Sequence, residues 1–387
     1  MINNKLLGFR RNDNVFGIRN HIVIMPTVHC ANPVVRQIAN STSGVTPLFH
    51  QHGCGHIGDD LKQVTRTLAG IANNPNVGGV LLVGLGCETI EIEEVLARLQ
   101  DLNRPVEKLV IQSVGDFDEI IRLGKEYIAK IKSVVDNQTR EEFDISRLVV
   151  GVECGASDTF SGITANPAVG MVADKLVGAG TTVILSESPE LIGAEPLLLE
   201  RIPNKEHQAA LLSKTRHYID VASSLGEDLM GANPAPGNIR AGITTIEEKA
   251  LGAIAKGGSS QINEVLEYAE APSQKGLVIM DTPGNDPESL TGMVAGGAHL
   301  ILFTTGLGTP LGHPLVPVIK ISSNSETFNK MRSFIDLDAG GILNGQNTSQ
   351  AADAIFQLLA DVAGGEKTLA ENWDSGEIAI NRLAPTF

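Results

Sequence analysis

The stretch Val80-Leu81-Leu82-Val83-Gly84-Leu85-Gly86-Cys87-Glu88 decides the fold class of this 387-residue chain. A short apolar run that breaks at once into glycine and polar residues is typical of a buried strand followed by a turn. The same form recurs at residues 22–25, ahead of Cys30, and at residues 148–150, ahead of Cys154. These strands alternate with helical patterns, so we predict an α/β fold whose sheets are mainly parallel and covered by helices on both faces.

Apolar runs predict five further strands, at residues 109–111, 182–185, 276–280, 300–303 and 317–321. Helical spacing predicts a helix that starts at Asn32-Pro33 and further helices at residues 60–72, 90–99, 116–135, 166–178, 205–224, 244–256 and 348–362. The polar stretch 136–142 is the predicted linker. The chain should therefore form two three-layer, Rossmann-like domains, at residues 1–142 and 143–387.

The composition of the chain disfavours nucleic acid and membranes as binding partners. The net charge of −15 disfavours bulk attraction to nucleic acid or to an anionic membrane. No apolar stretch approaches the ~20 residues that a membrane helix needs, and the first residues lack the features of a signal peptide. We expect a cytoplasmic protein whose cysteines are reduced, catalytic or metal-bound. Gly84-Leu85-Gly86 lacks the third glycine of a dinucleotide fingerprint, and no phosphate-binding loop occurs.

All four cysteines, Cys30, Cys54, Cys87 and Cys154, lie in the first 154 residues, where apolar runs give way to turns. Ligands of open α/β sheets gather at the carboxyl ends of strands. Soft thiolates there, with histidines nearby, predict an Fe²⁺ or iron–sulfur site. The alternative is that these are small buried cysteines filling strand ends.

The segment from His50 to His56 places three imidazoles and Cys54 within seven residues. Neutral imidazole is a common metal ligand and a general base. The spacing differs from that of structural zinc sites, so a metal that serves folding alone is not expected. The alternative is a polar loop with solvated histidines.

A long polar run follows the predicted strand at residue 148. Its Ser, Thr, Asp and Asn side chains suit a polyhydroxylated ligand, and Asn166-Pro167 can begin a helix that points its N-terminus at an anion. The alternative is a solvated loop. The predicted ligand-binding residues of this run are Ser157, Asp158, Ser161, Thr164 and Asn166.

Other strand ends add further candidates. Glu187 and Glu190 offer carboxylates, and Arg240 offers a guanidinium for a substrate carboxylate. The loop from Thr305-Gly306 to His313 is rich in glycine, which suits close approach of backbone to ligand, and His313 is a candidate acid or base.

Taken together, these motifs resemble the altronate and galactarate dehydratase family of sugar-acid hydro-lyases. The matching elements span almost the whole chain: Gly17-Ile18-Arg19-Asn20, Pro26-Thr27-Val28-His29-Cys30, Gly53-Cys54-Gly55, Asn74-Pro75-Asn76-Val77, Gly84-Leu85-Gly86-Cys87-Glu88, Cys154-Gly155-Ala156-Ser157-Asp158, Ser161-Gly162-Ile163-Thr164-Ala165-Asn166-Pro167, Glu187, Gly193-Ala194-Glu195, Gly237-Asn238, Thr305-Gly306-Leu307-Gly308-Thr309-Pro310 and Gly312.

The resemblance implies dehydration of a sugar acid to a 2-keto-3-deoxy acid, assisted by iron. Cys54, Cys87 and Cys154 would hold Fe²⁺ or an iron–sulfur cluster with their sulfurs within about 7 Å of one another, and Cys30 is the fourth candidate. The acid and base would come from His29, His52, His56 and His313. Arg19, Asn20, Glu187, Arg240, Thr305 and Gly306 would join the Ser157–Asn166 loop in binding substrate.

The resemblance also implies partners. Members of the family usually carry a small β-rich N-terminal domain, which we expect to be supplied here as a separate small subunit, and the chain is expected to form a homo-oligomer. Two alternatives remain. A related sulfolactate sulfo-lyase has a large subunit of similar size and eliminates sulfite, although the cysteine motifs here favour dehydration. The chain could also be a non-catalytic metal- or sugar-acid-binding subunit.

Overall fold

The computed structural model describes residues 5–100, 103–229 and 231–387. Its strands are, in chain order, β1 (Lys5–Arg10), β2 (Phe16–Gly17), β3 (His21–Pro26), β4 (Thr46–Pro47), β5 (Val77–Gly84), β6 (Val106–Val110), β7 (Arg140–Asp144), β8 (Val149–Gly155), β9 (Thr182–Leu185), β10 (Ile262–Leu266), β11 (Gly276–Met280), β12 (Leu300–Thr305), β13 (Val318–Ser322) and β14 (Leu337–Asp338).

The α-helices in the described ranges are α1 (Asn32–Asn40), α2 (Gly58–Asn73), α3 (Ile92–Leu96), α4 (Ile111–Val114), α5 (Phe117–Val135), α6 (Ala165–Gly178), α7 (Glu195–Leu199), α8 (Lys205–Ser224), α9 (Pro236–Arg240), α10 (Ile246–Ile254), α11 (Asp286–Ala295), α12 (Ser325–Lys330), α13 (Thr348–Gly364) and α14 (Leu369–Asn372). None of these helices is long and apolar enough to cross a membrane.

Two parallel sheets form the frame, as the strand pattern predicts. The smaller has the order β4-β3-β5-β6 and the larger the order β10-β11-β9-β8-β12-β13-β14. Alternate residues of the buried strands face opposite layers: Ile24 of β3 packs with α1 and α5, whereas Val23 packs with α2. The prediction of an α/β fold with helices on both faces of mainly parallel sheets is confirmed.

The structure also contains a third sheet, which the sequence did not predict. It is antiparallel, in the order β2-β1-β7, and it joins the start of the chain to residues 140–144. The last residues of the predicted linker at 136–142, from Arg140 onward, thus belong to β7, and the division into domains at residues 1–142 and 143–387 stays a prediction. Arg140 explains the pairing, because its guanidinium lies 4.9 Å from the centre of the Phe9 ring and donates to the Leu7 carbonyl.

The remaining differences are boundaries and elements that the sequence did not predict, among them β10 (Ile262–Leu266) and α11 (Asp286–Ala295). The helix predicted at residues 90–99 is only Ile92–Leu96, and the strand predicted at 109–111 ends at Val110, where α4 begins. Most other predicted elements lie within two or three residues of their observed positions. Short edge strands such as β4 and β14 were missed because two residues carry no periodic signal.

The two parallel sheets share one hydrophobic cluster, in which α2 packs against α11. A side chain at Gly70 would meet the Ala295 carbonyl oxygen at 2.3 Å, so only glycine permits this approach. Next to it, Asn76 is fully buried and bridges the two halves of the chain. Its amide donates to the carbonyls of His299 and Leu315, and its oxygen accepts from the amides of residues 18 and 19.

We predict that Asn76→Ala destabilises the protein by about 3 kcal/mol, because two buried carbonyls and two buried amides lose their partner. The midpoint and slope of urea unfolding measure the change. Asn137→Ala is the control, since this amide lies at the exposed end of α5 and donates only to the Ser133 carbonyl. Equal stability of the two variants would show that Asn76 does not hold the halves together.

Candidate active site

Polar residues gather at the carboxyl ends of both parallel sheets. At the small sheet, residues 27–31, 48–57 and 84–91 carry four histidines and three cysteines, and we call these segments the histidine–cysteine loops. Their histidines are His29, His50, His52 and His56, and their cysteines are Cys30, Cys54 and Cys87. At the large sheet, seven residues form a second group, which we call the carboxylate–lysine cluster: Glu153, Cys154, Glu187, Glu190, Lys249, Lys256 and Asp286.

Lys256 lies at the centre of the carboxylate–lysine cluster and is completely buried. It follows α10, in a turn that packs so closely on α6 that a side chain at Gly170 would meet the Ala255 carbonyl oxygen at 2.0 Å. The Lys256 Nζ lies 2.7 Å from the Cys154 Sγ and 2.6 Å from Glu187 Oε2. Burial alone would lower the pKa of Lys256, but these neighbours raise it well above its usual value, so the ammonium is permanent.

Glu187 begins the turn after β9 in a left-handed conformation, with a φ of 70°. Such a backbone is unfavourable for a glutamate and persists only when its surroundings fix it. Here the backbone amide of Glu187 donates to Thr282 Oγ1, and its Oε2 accepts from the Cys154 amide as well as from Lys256. Its Oε1 is buried and has no hydrogen-bond partner. The strained turn thus directs one carboxylate oxygen to each side of the cluster.

Cys154 and Glu190 form a hydrogen-bonded pair beside Lys249. The Cys154 thiol donates to Glu190 Oε2 at 3.0 Å, and Lys249 Nζ lies 2.6 Å from Glu190 Oε1. Burial, followed by the charges of Glu187 and Glu190, raises the pKa of Cys154 well above its usual value, so the resting sulfur is a thiol. Burial would raise the pKa of Glu190 too, but Lys249 and Lys256 hold it below normal, so Glu190 is ionised.

Glu153 and Asp286 complete the cluster. Burial, with the nearby charge of Glu187, raises the pKa of Glu153 well above its usual range. The same causes raise the pKa of Asp286 to about 7. Two carboxyls next to Glu187 are therefore easily protonated, which is how a protein reduces crowded buried charge.

A cavity of about 240 Å³ opens beside the cluster. Four residues predicted to bind substrate line this cavity, namely Ser157, Asp158, Ser161 and Asn166. Cys154 and Lys249 also line it. The structure thus brings the predicted polar loop together with one predicted cysteine, and it adds a lysine that the sequence did not point to.

Several predicted substrate-binding groups also shape this loop. Asp158 accepts hydrogen bonds from Ser161, Ser323 and Asn324, so both of its oxygens have protein partners. A side chain at Gly306 would lie 2.5 Å from the Asp158 carboxyl carbon, which shows how closely the two loops approach. Thr164 donates to the carbonyls of residues 160 and 323, Asn166 bonds Thr304 and the carbonyl of residue 252, and Thr305 accepts from the amide of residue 308. Arg240, at the end of α9, is exposed.

The histidine–cysteine loops are tied to one another by backbone bonds, including His29 N–H to the His52 carbonyl at 2.7 Å. Their contacts fix two tautomers. His29 donates from Nδ1 to the His50 carbonyl, which leaves Nε2 free to accept a proton. His52 donates from Nε2 to the Ile380 carbonyl and leaves Nδ1 free, while burial lowers the pKa of His52 to about 4. Both rings are thus arranged as proton acceptors.

His56 differs, because both of its ring nitrogens are occupied. Nδ1 bonds Asp60 Oδ2 at 2.7 Å, and Nε2 accepts from the Gly53 amide. Asp60 also receives the Leu383 amide and the Arg382 guanidinium from the C-terminal tail. Burial would raise the pKa of Asp60, but the hydrogen bonds from His56, Leu383 and Arg382 lower it to about 2. Asp60 therefore joins His56 to the C-terminal tail.

The cysteines do not form a mononuclear thiolate site in this structure. Three thiolates around one tetrahedral metal lie about 3.8 Å apart, since metal–sulfur bonds are about 2.3 Å long. Among the described residues, the groups of three ligands with all atoms within 4.8 Å are Cys154 with Glu187 and Glu190, and Glu153 with Glu187 and Asp286. Neither group contains Cys30, Cys54 or Cys87, which are exposed. A more widely spaced iron–sulfur arrangement stays a prediction.

Cys154 itself is a poor fit to a metal ion. The ammonium of Lys256 already stands at hydrogen-bond distance from its sulfur and from Glu187. This cation occupies the place that a metal would take, so the group around Cys154 carries its own counter-ion.

Arg19 and His313 meet at another cavity, of about 290 Å³. All donors of the Arg19 guanidinium face protein acceptors, among them both oxygens of Glu371 at 2.6 and 2.9 Å. Burial lowers the pKa of His313 to about 3, and its Nε2 has no partner. Asn20, whose amide donates to the Val135 carbonyl, lies at the edge of the small sheet.

The predicted substrate loop thus lines one cavity, while His29 and His313 line two others in the described part of the chain. Sequence reasoning missed Lys249, Lys256, Glu153 and Asp286. A charged residue inside an apolar strand was the available signal for Glu153. The two lysines had none, because a lysine in or after a helix usually points to solvent.

Family models match both halves of the chain. Residues 8–136 match the model described as D-galactarate dehydratase/altronate hydrolase, second domain, and residues 145–386 match D-galactarate/altronate dehydratase, C-terminal. The chain therefore belongs to the D-galactarate/altronate dehydratase family, and the resemblance read from its motifs is confirmed.

Comparison with curated proteins supports the same family assignment. The chain is 35% identical to altronate dehydratase of Escherichia coli K12, over 98% of this chain and 78% of that protein. It is 36% identical to galactarate dehydratase (L-threo-forming) of the same organism, over 98% of this chain and 76% of that protein. It is also 36% identical to the (2R)-sulfolactate sulfo-lyase subunit beta of Chromohalobacter salexigens, over 97% of each chain.

We predict that Asp60→Asn lowers the free energy of unfolding by about 2 kcal/mol near pH 7, because a charged acceptor of three hydrogen bonds is lost. The folded pKa of about 2 lies below the unfolded value, so this stability is present above pH 4 and lost as the pH falls towards 2. Urea unfolding of wild type and variant from pH 3 to 8 measures the difference. Asp59→Asn, which changes an exposed neighbour, should leave the curve unchanged, and a difference independent of pH would contradict the assignment.

Proposed function

We propose that this chain is a hydro-lyase that dehydrates a sugar acid of the altronate or galactarate type to a 2-keto-3-deoxy acid. The observation that carries the proposal is the cavity at the end of the large sheet, where a polar loop meets a thiol and an ammonium. The names of two relatives, altronate dehydratase and galactarate dehydratase, support it.

Lys249 is the group we assign to the substrate carboxylate. Its ammonium has three donors, of which two bond Glu190 and Asn233. The side chain is 10% exposed and lines the cavity, so the third donor can meet a ligand. An ammonium at the carboxylate also stabilises the negative charge that develops when the neighbouring C2–H is removed.

Cys154 is the group we assign to the C2 proton. Transfer of its thiol proton to Glu190, 3.0 Å away, leaves a thiolate next to the Lys256 ammonium. This transfer is uphill, because the pKa of Cys154 lies above its usual value and that of Glu190 below, so the thiolate is a minor species. A thiolate whose conjugate acid has a raised pKa is a strong base, as removal of a weakly acidic carbon-bound proton requires. Lys256 stabilises the thiolate once it forms.

The elimination then balances within the cavity. The thiolate takes the C2 proton, the electron pair forms the C2–C3 double bond, and the C3–oxygen bond breaks. The proton on Cys154 passes to the departing hydroxyl, which leaves as water. The enol product tautomerises to the 2-keto-3-deoxy acid, and Glu190 returns the thiol proton.

The remaining expectations belong to the same proposal. His29 and His52 keep a free ring nitrogen and stay candidates for proton transfer, and His313 stays a candidate acid. An iron–sulfur cluster at Cys54 and Cys87 would supply Lewis acidity when bound. The name of the sulfo-lyase relative, a subunit beta, supports a separate small subunit. A homo-oligomeric, cytoplasmic enzyme remains our expectation.

A second candidate function is the elimination of sulfite from sulfolactate. It is favoured by one observation, that the chain covers 97% of the sulfo-lyase subunit beta at 36% identity. The same C2 proton would be removed, and only the leaving group would differ. The two candidate functions therefore differ in the substrate and its leaving group, and they use the same base.

We predict that the protein, aerobic or reconstituted anaerobically with iron, releases a 2-keto-3-deoxy acid from at least one member of a panel of aldonates and aldarates. The assay runs with and without the small domain of a relative, and sulfite release from sulfolactate is followed in parallel. Activity on sulfolactate alone would select the second candidate, and no elimination from any substrate would overturn both.

We predict that Cys154→Ser lowers kcat on the active substrate by about 10²–10⁴-fold with little change in KM, since a general base contributes that much. Lys249→Met should raise KM by about 10- to 100-fold, because a charge-assisted hydrogen bond to the substrate is lost. Lys132→Met, which removes a cation on the surface of α5, is the control. Near-normal kcat in a folded Cys154→Ser variant would exclude Cys154 as the base.

A further inference from the structure

A cavity of about 340 Å³ lies at the amino ends of the strands, away from the candidate active site. Val149, the first residue of β8, lines this cavity, whereas Cys154, near the end of the same strand, lines the candidate active site. His299, directly before β12, and Pro75, two residues before β5, also line it. At about 3.3 Å per residue, Val149 and Cys154 are roughly 16 Å apart along β8. A small ligand in this cavity would therefore not reach the groups that we assign to the substrate.

Three arginines from different segments line this cavity, which we call the arginine cavity: Arg66 on α2, Arg98 after α3 and Arg147 before β8. Arg66 Nε donates to the Tyr268 carbonyl and Arg147 donates to Asn14 Oδ1, so both hydrogen-bond partners are neutral. In residues 5–100, 103–229 and 231–387, none of the three guanidiniums forms an ion pair with a carboxylate. The chain has 45 acidic residues against 30 lysines and arginines, so this lack of counter-charges is a property of the cavity.

The positive charge of the arginine cavity is only partly balanced by its neighbours. Burial lowers the pKa of Arg66, and the nearby charge of Arg98 lowers it further. Glu270 and Glu267 act in the opposite direction, although one oxygen of Glu270 accepts from the Glu267 amide within their own turn. His299 adds no charge, because burial lowers its pKa to about 4 and both of its ring nitrogens bond backbone groups. Among the lining residues, three guanidiniums thus stand against one carboxylate, that of Glu270.

Much of the remaining wall is small and apolar. Ala69 of α2 and Ala295 of α11 line the cavity beside Gly70, where the two helices make close contact, and Ala269 and Pro272 line it as well. Both halves of the chain therefore contribute to it. A volume near 300 Å³ is at the lower end of the range for small-molecule sites. A few charged groups on a partly apolar wall are typical of a site for an organic ligand.

We propose that the arginine cavity is a binding site, separate from the candidate active site, for a small organic anion that carries a carboxylate or a phosphate group. A guanidinium presents paired donors in one plane, which match the oxygens of either group. Arg98 and Arg147 are exposed and Arg66 is half-buried, so the anion can enter from solvent. Because both halves of the chain line the cavity, the bound anion bridges them and stabilises the folded chain.

The first test measures binding to the full-length protein and uses no assay of dehydration. Three probes are titrated calorimetrically: glutarate, glycerol 3-phosphate and inorganic phosphate. We expect at least one of the two organic anions to bind more tightly than inorganic phosphate, with an affinity that falls as salt screens the guanidiniums. Binding of glutarate alone would identify a carboxylate site, and binding of glycerol 3-phosphate alone a phosphate site. The midpoint of thermal unfolding should rise with the concentration of the bound probe.

Variants locate the anion. Arg98→Met and Arg147→Met change exposed side chains, and each should weaken binding of the organic probe by at least about 10-fold, because a charge-assisted hydrogen bond is lost. Glu270→Gln should strengthen binding by about 2- to 5-fold, since it removes the carboxylate that competes with the anion. Arg332→Met is the control, because this exposed guanidinium lies over the Phe328 ring, outside the cavity.

Lys249→Met separates this site from the candidate active site, and it should retain the binding. Four outcomes would overturn the proposal. If none of the three probes binds at millimolar concentration, the arginine cavity is not an anion site. If inorganic phosphate binds as tightly as the organic anions, the site does not select an organic ligand. Unchanged affinity in both Arg98→Met and Arg147→Met would place the anion elsewhere, and loss of binding in Lys249→Met would assign it to the candidate active site. Since no sugar-acid turnover is measured, failure here leaves the proposed dehydration to be judged separately.

Discussion

The buried ammonium of Lys256 is the interaction on which the rest of the site depends. A charge at 0% exposure is tolerated only when its partners are close, and here a thiol and a carboxylate lie within 2.7 Å of it. Those partners must come from two different strand ends, Cys154 on β8 and Glu187 after β9. The left-handed backbone at Glu187 and the close packing at Gly170 are the local consequences of bringing three segments to one point.

The same constraint decides which chemistry the site can perform. Because Lys256 holds the position next to the Cys154 sulfur, we assign that sulfur to proton transfer. Glu153 Oε1 and Glu187 Oε1 are buried without a hydrogen-bond partner. The ammonium is thus held by the thiol and by one oxygen of Glu187, while the other oxygen of that carboxylate is left free.

Much of this arrangement could be predicted from sequence, because buried strands and glycine-rich turns leave a strong local signal. The ends of β3, β5 and β9 were placed to within one residue, whereas β8 runs beyond the predicted Val150 to Gly155; the predicted polar loop that lines the cavity follows it. The sheet formed by β1, β2 and β7 was not predicted, because β1 and β7 are far apart in sequence and each exposes one face. Their pairing depends on Arg140 and Phe9, whose contact is not visible in either segment alone.

The features of the site that the sequence could not predict have a similar physical origin. Sequence can show that Cys30, Cys87 and Cys154 each follow a predicted strand, but not that the strand of Cys154 belongs to a different sheet from the other two. Lys249 and Lys256 were missed because a lysine is recognised as buried only when its partners are known. In the same way, the sequence around Arg19 gives no sign that Glu371 and several carbonyls already accept hydrogen bonds from its guanidinium.

Electrostatics connects the charge of the whole chain with that of the cavity. A protein of net charge −15 repels an anionic sugar acid at long range, so attraction has to arise locally. Lys249 is the cation nearest the cavity, but Glu190 neutralises most of its field, and two further negative charges lie behind it if all the carboxyls are ionised. Lys249 would then bind an anion in addition to Glu190 only weakly. Protonation within the Glu153, Glu187 and Asp286 group therefore strengthens the attraction of Lys249 for an anion, and it links the charge of the buried cluster to the affinity of the cavity for an anionic ligand.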